Sequence, residues 1–165
     1  MMLKKNDLKK LFLEDFHISK NAKFVQFAGY NMPISYSNSG IIEEHLHTRS
    51  SVGLFDVSHM LQITIVVNND TIKKLEKVIP LDLVNMPYGK SNYSFLLNDQ
   101  GGIIDDIIIS KIKDIHEILY IVLNASRREE DLRFLKNILS DDLVLERKDF
   151  SLLAVQGPKS RNILT

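Results

Sequence analysis

Residues 101–109 read GGIIDDIII, with two adjacent carboxylates set inside a run of isoleucines. Asp is a poor strand former and is rarely fully buried unless paired. Yet Ile103, Ile104, Ile107, Ile108 and Ile109 demand a strand that is apolar on both faces. Successive side chains of a strand point to opposite faces. Asp105 therefore shares a face with Ile103, Ile107 and Ile109, while Asp106 shares one with Ile104 and Ile108. The two cannot work as a paired acid and base on one substrate. Two readings stay open: one aspartate caps a turn or lies on an exposed edge, or one lies at the floor of an apolar pocket. In such a pocket desolvation moves a carboxyl pKa towards the range useful for proton transfer.

Outward from this stretch, NYSFLL (92–97) and GIIDDIIIS (102–110) flank NDQG at 98–101, a hairpin signal. EILYIVLN (117–124) reads as the next strand. Ser126-Arg127-Arg128-Glu129 has capping-box spacing and opens a helix with Leu132, Leu135, Ile138 and Leu139 inward. LQITIVVNN (61–69) is a strand, followed by an Asn68–Asp70 cap and a helix over 71–79 that Pro80 stops.

Nearer the N-terminus, Leu8, Leu11, Phe12 and Phe16 fall on one helical face, capped by Asn6 or Asp7. KFVQFAGYNMPISY reads as short strands and a turn, and SGIIEEHLHTRSS as a helix capped near Ser39. DLVLERK and SLLAVQG are two further strands. Gly157-Pro158 sets up a last helix with Pro at its first position. SRNILT stops after barely two turns, as if cut. Strands and helices mix without a regular βαβ period, which predicts α+β with a mainly antiparallel sheet and packed helices.

Composition bounds the function. With 165 residues, 44% hydrophobic and 25% charged, the chain has the balance of a globule with a real core rather than of a disordered chain. Lys plus Arg and Asp plus Glu are 21 each, so no basic field invites nucleic acid or an anionic membrane. The absence of cysteine excludes a disulfide scaffold, a thiolate metal site and a Cys nucleophile. The opening MMLKKNDLKKLFLED is too charged for a signal peptide and lacks transit-peptide composition, and no apolar run is long enough for a bilayer span. A cytoplasmic location is expected.

Three further candidates are weak. In LFDVSHM (54–60), Asp56, Ser58 and His59 suggest a triad, but no G-x-S-x-G elbow surrounds Ser58, and a polar turn between helix and strand explains them better. His45 and His47 lie about 200° apart on a helix and cannot share one ion, so no metal is expected. Gly101-Gly102 fits no phosphate-binding motif. Tyr93 fits either a core position or an aromatic wall for a flat ligand.

Taken in series, FAGYNMP (27–33), Tyr36, HLHTR (45–49), VGLFDVSHM (52–60), YSFLLNDQGGIIDD (93–106), VLNAS (122–126) and LLAVQGP (152–158) resemble the aminomethyltransferase family of the glycine cleavage system, its T proteins. The likeness runs from about residue 9 to the end. Tyr30 stands where the family usually has Trp, and Lys10-Leu11-Phe12 where it has Thr-Pro-Leu. Family members are roughly twice as long. The resemblance thus implies that 1–165 is the N-terminal portion of a folate-binding aminomethyltransferase domain, with the remaining domains absent from this chain.

It also implies an activity. The one-carbon unit carried on the lipoyl arm of the H protein passes to tetrahydrofolate, with release of ammonia, in the cytoplasm or in the mitochondrial matrix of a eukaryote. By the same likeness the catalytic aspartate is Asp106, and Met60, Tyr93 and Asn124 contact the folate. Asp106 would then face a dry apolar pocket, and Asp105 would be structural or solvent-exposed. Two related readings compete: the folate domain of a dimethylglycine- or sarcosine-type demethylating enzyme, and a non-catalytic folate-binding module. The intact DD pair and the lack of cysteine favour the aminomethyltransferase reading.

Overall fold

The computed structural model describes residues 8–113, 116–140 and 143–165, which fall into two compact units, one of residues up to 59 with 151–165 and one of residues 60–150. The first unit opens with α1 (Glu14–Ser19), the antiparallel hairpin of β1 (Ala22–Phe27) and β2 (Tyr30–Tyr36), α2 (Ile41–Ser50) and β3 (Gly53–Asp56). Its apolar cluster is Leu11 with Tyr30 and Met32.

The opening helix is shorter than its apolar spacing predicts. Before it, Lys9 bridges Tyr30 in parallel, with Lys9 N donating to Gly29 O at 2.9 Å. Leu11 is spent on the Tyr30 cluster before α1 starts, the helix then buries Glu14 and His17, and Phe12 ahead of it and Phe16 within it are exposed. The expected caps Asn6 and Asp7 lie outside the described residues. The helix of HLHTR is also unlike a core helix, since α2 buries none of its residues.

The second unit carries β4 (Leu61–Val66), α3 (Asn69–Leu75), β5 (Ser91–Leu97), β6 (Ile103–Lys113), β7 (Glu117–Leu123), a short 3-10 turn (Ala125–Arg127), α4 (Arg128–Ile138) and β8 (Val144–Glu146). Its strands form one sheet in the order β5-β6-β7-β4-β8 with every neighbouring pair antiparallel. This is the α+β architecture with an antiparallel sheet that the sequence predicts. The β5–β6 hairpin turns where NDQG indicated, with Asn98 Oδ1 accepting from Gly102 N at 2.8 Å and Gly101 in the left-handed region at φ 78°. Asn68 caps α3 by accepting from Thr71 N at 2.8 Å.

One sheet face packs the core: Leu61, Ile63 and Ile65 of β4, Ile107 and Ile109 of β6, and Leu119, Ile121 and Leu123 of β7, against Leu75, Ile79, Leu135 and Leu139. Lys111 continues this face at its far end; the buried ammonium donates to the carbonyls of Leu83 at 2.9 Å and Val84 at 3.0 Å.

The demand for apolarity on both faces of β6 is met on one face only. Asp105, Ile107 and Ile109 are buried, whereas Ile108 on the other side is 44% exposed. Ile103, in the first position of the strand, is exposed as well.

The capping box does not form. Ser126 lies inside the 3-10 turn, α4 begins at Arg128, and no side chain caps either element. A backbone bond from Arg127 N to Asn124 O closes that turn instead. The chain ends with β9 (Leu153–Gln156), which pairs antiparallel with β3 in the first unit, and α5 (Ser160–Leu164). Pro158 sits in the turn ahead of α5 rather than at its first position. Gly157 before it has φ 121°, and a Cβ there would lie 2.5 Å from the carbonyl oxygens of Thr48 and Ser51. Only glycine fits at that contact.

Candidate functional site

The residues singled out in the sequence come from four separate stretches, and antiparallel register draws them together. Asp106 on β6 pairs with Phe95 on β5, and Ile108 with Tyr93. Ile107 pairs with Leu123 of β7, and Leu61 of β4 pairs with the same Leu123. Carried one step past the strand ends, these registers set Asn124 opposite Asp106 and Met60 opposite Asn124. Met60, Asn124 and Asp106 thus share one row at the end of the sheet, with Tyr93 two rows along.

Asn124 ties the two aspartates. Its Nδ2 donates to Asp105 Oδ1 at 2.9 Å and to Asp106 Oδ1 at 3.0 Å, and its backbone N donates to Asp105 Oδ2 at 3.3 Å. Asp106 is half-buried, and the Tyr93 hydroxyl reaches its carboxylate. The Tyr93 phenol is raised above its usual range by partial desolvation first and then by the hydrogen bond and charge of Asp106. The Tyr93 and Phe95 rings meet edge to face with centroids 5.6 Å apart.

Three expectations are narrowed or changed here. Tyr93 is 64% exposed, so it is not a core residue. These strands also do not enclose Asp106, since Tyr93 and Ile108 beside it are open; the dry pocket is not built by this sheet. Asp105 is not solvent-exposed. It is 8% exposed and points into the core, because its β5 partner Leu96 and its same-face neighbours Ile107 and Ile109 belong to the packed face.

On that packed face a further carboxyl appears that sequence reasoning missed. Asp131 of α4 is fully buried, and its pKa is pushed up to about 7 by burial first, then by the hydrogen bond and charge of Asp105. The signal was present: the inward stripe through Leu135 and Leu139, stepped back by four, lands on Asp131. The acid-rich first turn disguised it as a favourable dipole arrangement.

In the first unit, FDVSHM forms a structural tie. Asp56 does pair with a histidine, but that histidine is His17, whose Nε2 lies 2.9 Å from Asp56 Oδ2 and whose Nδ1 lies 2.8 Å from the Tyr36 hydroxyl. Ser58 N donates to Asp56 Oδ1 at 3.0 Å, and Ser58 Oγ accepts from Leu152 N at 2.9 Å. His59 instead packs edge-on against Phe27 and Tyr30, and burial lowers its pKa. With Ser58 bound to backbone and His59 turned to aromatic rings, His59 does not activate Ser58 as a nucleophile. A cleft of about 340 Å³ in the same unit is lined by Tyr36, Glu44, His47 and Phe55 among others, and holds none of the expected site residues.

The chain is 43% identical over 162 residues to the mitochondrial aminomethyltransferase of Saccharomyces cerevisiae, covering 95% of this chain and 40% of that protein. It is 43% identical over 155 residues to the aminomethyltransferase of Flavobacterium psychrophilum, covering 93% of this chain and 42% of that one. The crystal structure of glycine cleavage system aminomethyltransferase T from Bartonella henselae superposes with a TM-score of 0.81 at 35% identity, over 95% of this chain and 43% of that one. The chain therefore spans about two fifths of the length of these relatives. The family model of the GCVT N-terminal domain matches residues 13–165, and the chain belongs to that family.

Proposed function

We propose that residues 1–165 are the N-terminal portion of a folate-binding aminomethyltransferase domain. Within the whole protein this portion serves the glycine cleavage reaction, in which a one-carbon unit passes from the lipoylated H protein to tetrahydrofolate and ammonia is released. One observation carries the reading. Met60, Tyr93, Asp106 and Asn124, far apart in sequence, meet at one end of one sheet, and a carboxylate is fixed there by Asn124 Nδ2 at 3.0 Å.

The residues suit a reduced pterin. Tyr93 and Ile108 offer an exposed apolar and aromatic surface for a flat ring, and Asp106 offers an acceptor for a ring N–H beside it. When bound, tetrahydrofolate supplies the amine nitrogen that receives the one-carbon unit. Asp106 accepts the hydrogen bond of that amine, orients it, and takes up or returns a proton at its carboxylate oxygen. Its fixed negative charge also favours positive charge developing nearby, the more so where water is excluded. Asn124 holds the carboxylate in place, so little reorganisation accompanies the reaction. Asp105, on the other face, touches no ligand.

A cytoplasmic or mitochondrial-matrix location accords with the bacterial and mitochondrial relatives. Among the described residues no helix is long and apolar enough to cross a membrane.

Titration calorimetry of tetrahydrofolate into the 165-residue chain tests the reading. Binding is expected, weakened about tenfold or more by Tyr93→Ala through loss of stacking. A folded chain with no measurable affinity would refute folate binding by this segment.

A further inference from the structure

We propose that Asp131 is a positioning residue for Asp106, acting from the opposite face of the sheet through Asp105 and Asn124. The inference rests on the folate reading only for the role of Asp106; the linkage itself is a property of the fold.

Asp131 is 0% exposed, and neither of its carboxyl oxygens meets a hydrogen-bond donor among the described residues. A buried carboxylate without a donor is among the costliest arrangements a polar group can take. Its partner is the carboxyl of Asp105, which is itself buried. Two ionised carboxylates facing each other offer only acceptors and repel. A proton held between them turns the clash into a strong hydrogen bond.

The geometry decides which acid keeps that proton. Asp105 already accepts from Asn124 Nδ2 at 2.9 Å and from Asn124 N at 3.3 Å. Asp131 has no such donors, so the proton resides there and Asp131 donates to Asp105. Burial and Asp105 hold Asp131 up to about 7, Glu130 adds to this, and Arg127 opposes it. Among the described residues these are the charged groups that act on it: Asp105 from β6, Arg127 from the end of the 3-10 turn and Glu130 from the first turn of α4.

The consequence reaches the other face. Fixed by Asp131, Asp105 can receive only the NH2 side of Asn124, since the amide oxygen would oppose a carboxylate. That choice points the same Nδ2 at Asp106 Oδ1 at 3.0 Å. A change in the proton on Asp131 thereby alters how firmly Asp106 is held, with no contact between Asp131 and any ligand.

The test uses the 165-residue chain without folate. The side-chain amide protons of Asn124 and the Cγ carbon of Asp106 are followed by NMR from about pH 5 to about pH 9. In the wild type both should move together with a midpoint near the Asp131 value of about 7. In Asp131→Asn, whose amide still donates to Asp105 but does not titrate, both should stay at their low-pH positions throughout. In Asp131→Leu the Asn124 amide should lose its carboxylate-bonded shift at every pH. Signals of Asn124 that ignore pH in the wild type, or that still titrate in Asp131→Asn, would overturn the proposal. The wild type and Asp131→Asn decide it even if the leucine variant does not fold. Because no folate is present, failure here and failure of the folate reading are separate results.

Discussion

Asn124 Nδ2 donates to Asp106 Oδ1 at 3.0 Å, across the row where the end of β7 meets β6. The same nitrogen serves Asp105 at 2.9 Å, although the two aspartates point to opposite faces of the sheet. One amide at a strand end thus reaches around both faces, which a residue in mid-strand could not do. The DD pair is two separate carboxylates with one keeper.

Asn124→Ala removes that keeper and leaves the buried Asp105 carboxylate with fewer donors. Hydrogen bonds to charged groups contribute about 1.5–3 kcal/mol each, so a loss of that order is expected in urea unfolding of the chain. A change below about 0.5 kcal/mol would mean that water replaces the amide without cost.

Asp131 gives a pH dependence with a definite sign. Its folded pKa is raised, from 3.8 to about 7, so the folded state binds this proton more tightly than the unfolded chain does. The stability it contributes is complete below about pH 3.8 and is lost as pH rises through about 7. With partial screening the loss amounts to roughly 2–4 kcal/mol. Urea midpoints taken across this window should fall in the wild type and fall much less in Asp131→Asn. Parallel curves would show that Asp131 ionises normally.

Asp56 has the opposite sign. Burial alone would raise its pKa, but hydrogen bonds with His17 and Ser58 outweigh it and hold the carboxyl below 3.8. Its contribution is present above the unfolded value and is lost as pH falls through the depressed one. His17→Phe strands this carboxylate and the Tyr36 hydroxyl, at a cost of about 2–4 kcal/mol near neutral pH. Thermal unfolding should show the loss, and the variant should be less sensitive to acid than the wild type. An unchanged melting temperature would show that the Asp56 network is not needed for folding.

Much of this was legible from local rules. The 98–102 hairpin followed from Asn and Gly between strand-like runs, and the opposite facing of Asp105 and Asp106 followed from a period of two. Which face is the core did not follow, because isoleucine occupies both sides of β6; only the pairing with β7 and the packing of α3 and α4 decide that. His17 escaped notice because an isolated histidine in EDFHIS carries no motif, and its partner Asp56 lies far along the chain. The Phe12 and Phe16 stripe misled for a related reason: helical spacing measures periodicity, not what the fold places beside a helix. Ser126 had the spacing of a cap, but the tight turn from Asn124 to Arg127 satisfies the backbone first.

The two aspartates can be separated functionally. In a full-length aminomethyltransferase carrying this segment, Asp106→Asn removes the proton acceptor but keeps a group of the same shape beside Tyr93. Turnover is expected to fall by about 10²–10⁴-fold, with tetrahydrofolate affinity changed by no more than about threefold. Stability should hardly change, since Asp106 is only half-buried and its side-chain donors, Asn124 and Tyr93, can re-pair with an amide oxygen. Asp105→Asn acts differently: it disturbs a buried carboxyl bonded to Asn124 and to Asp131, so it should lower the melting temperature and reduce turnover far less than Asp106→Asn does. Steady-state rates, folate titrations and melting curves on the two variants separate the roles. Equal losses of turnover at equal folate affinity would remove the reason for assigning the chemistry to the outward-facing member of the pair.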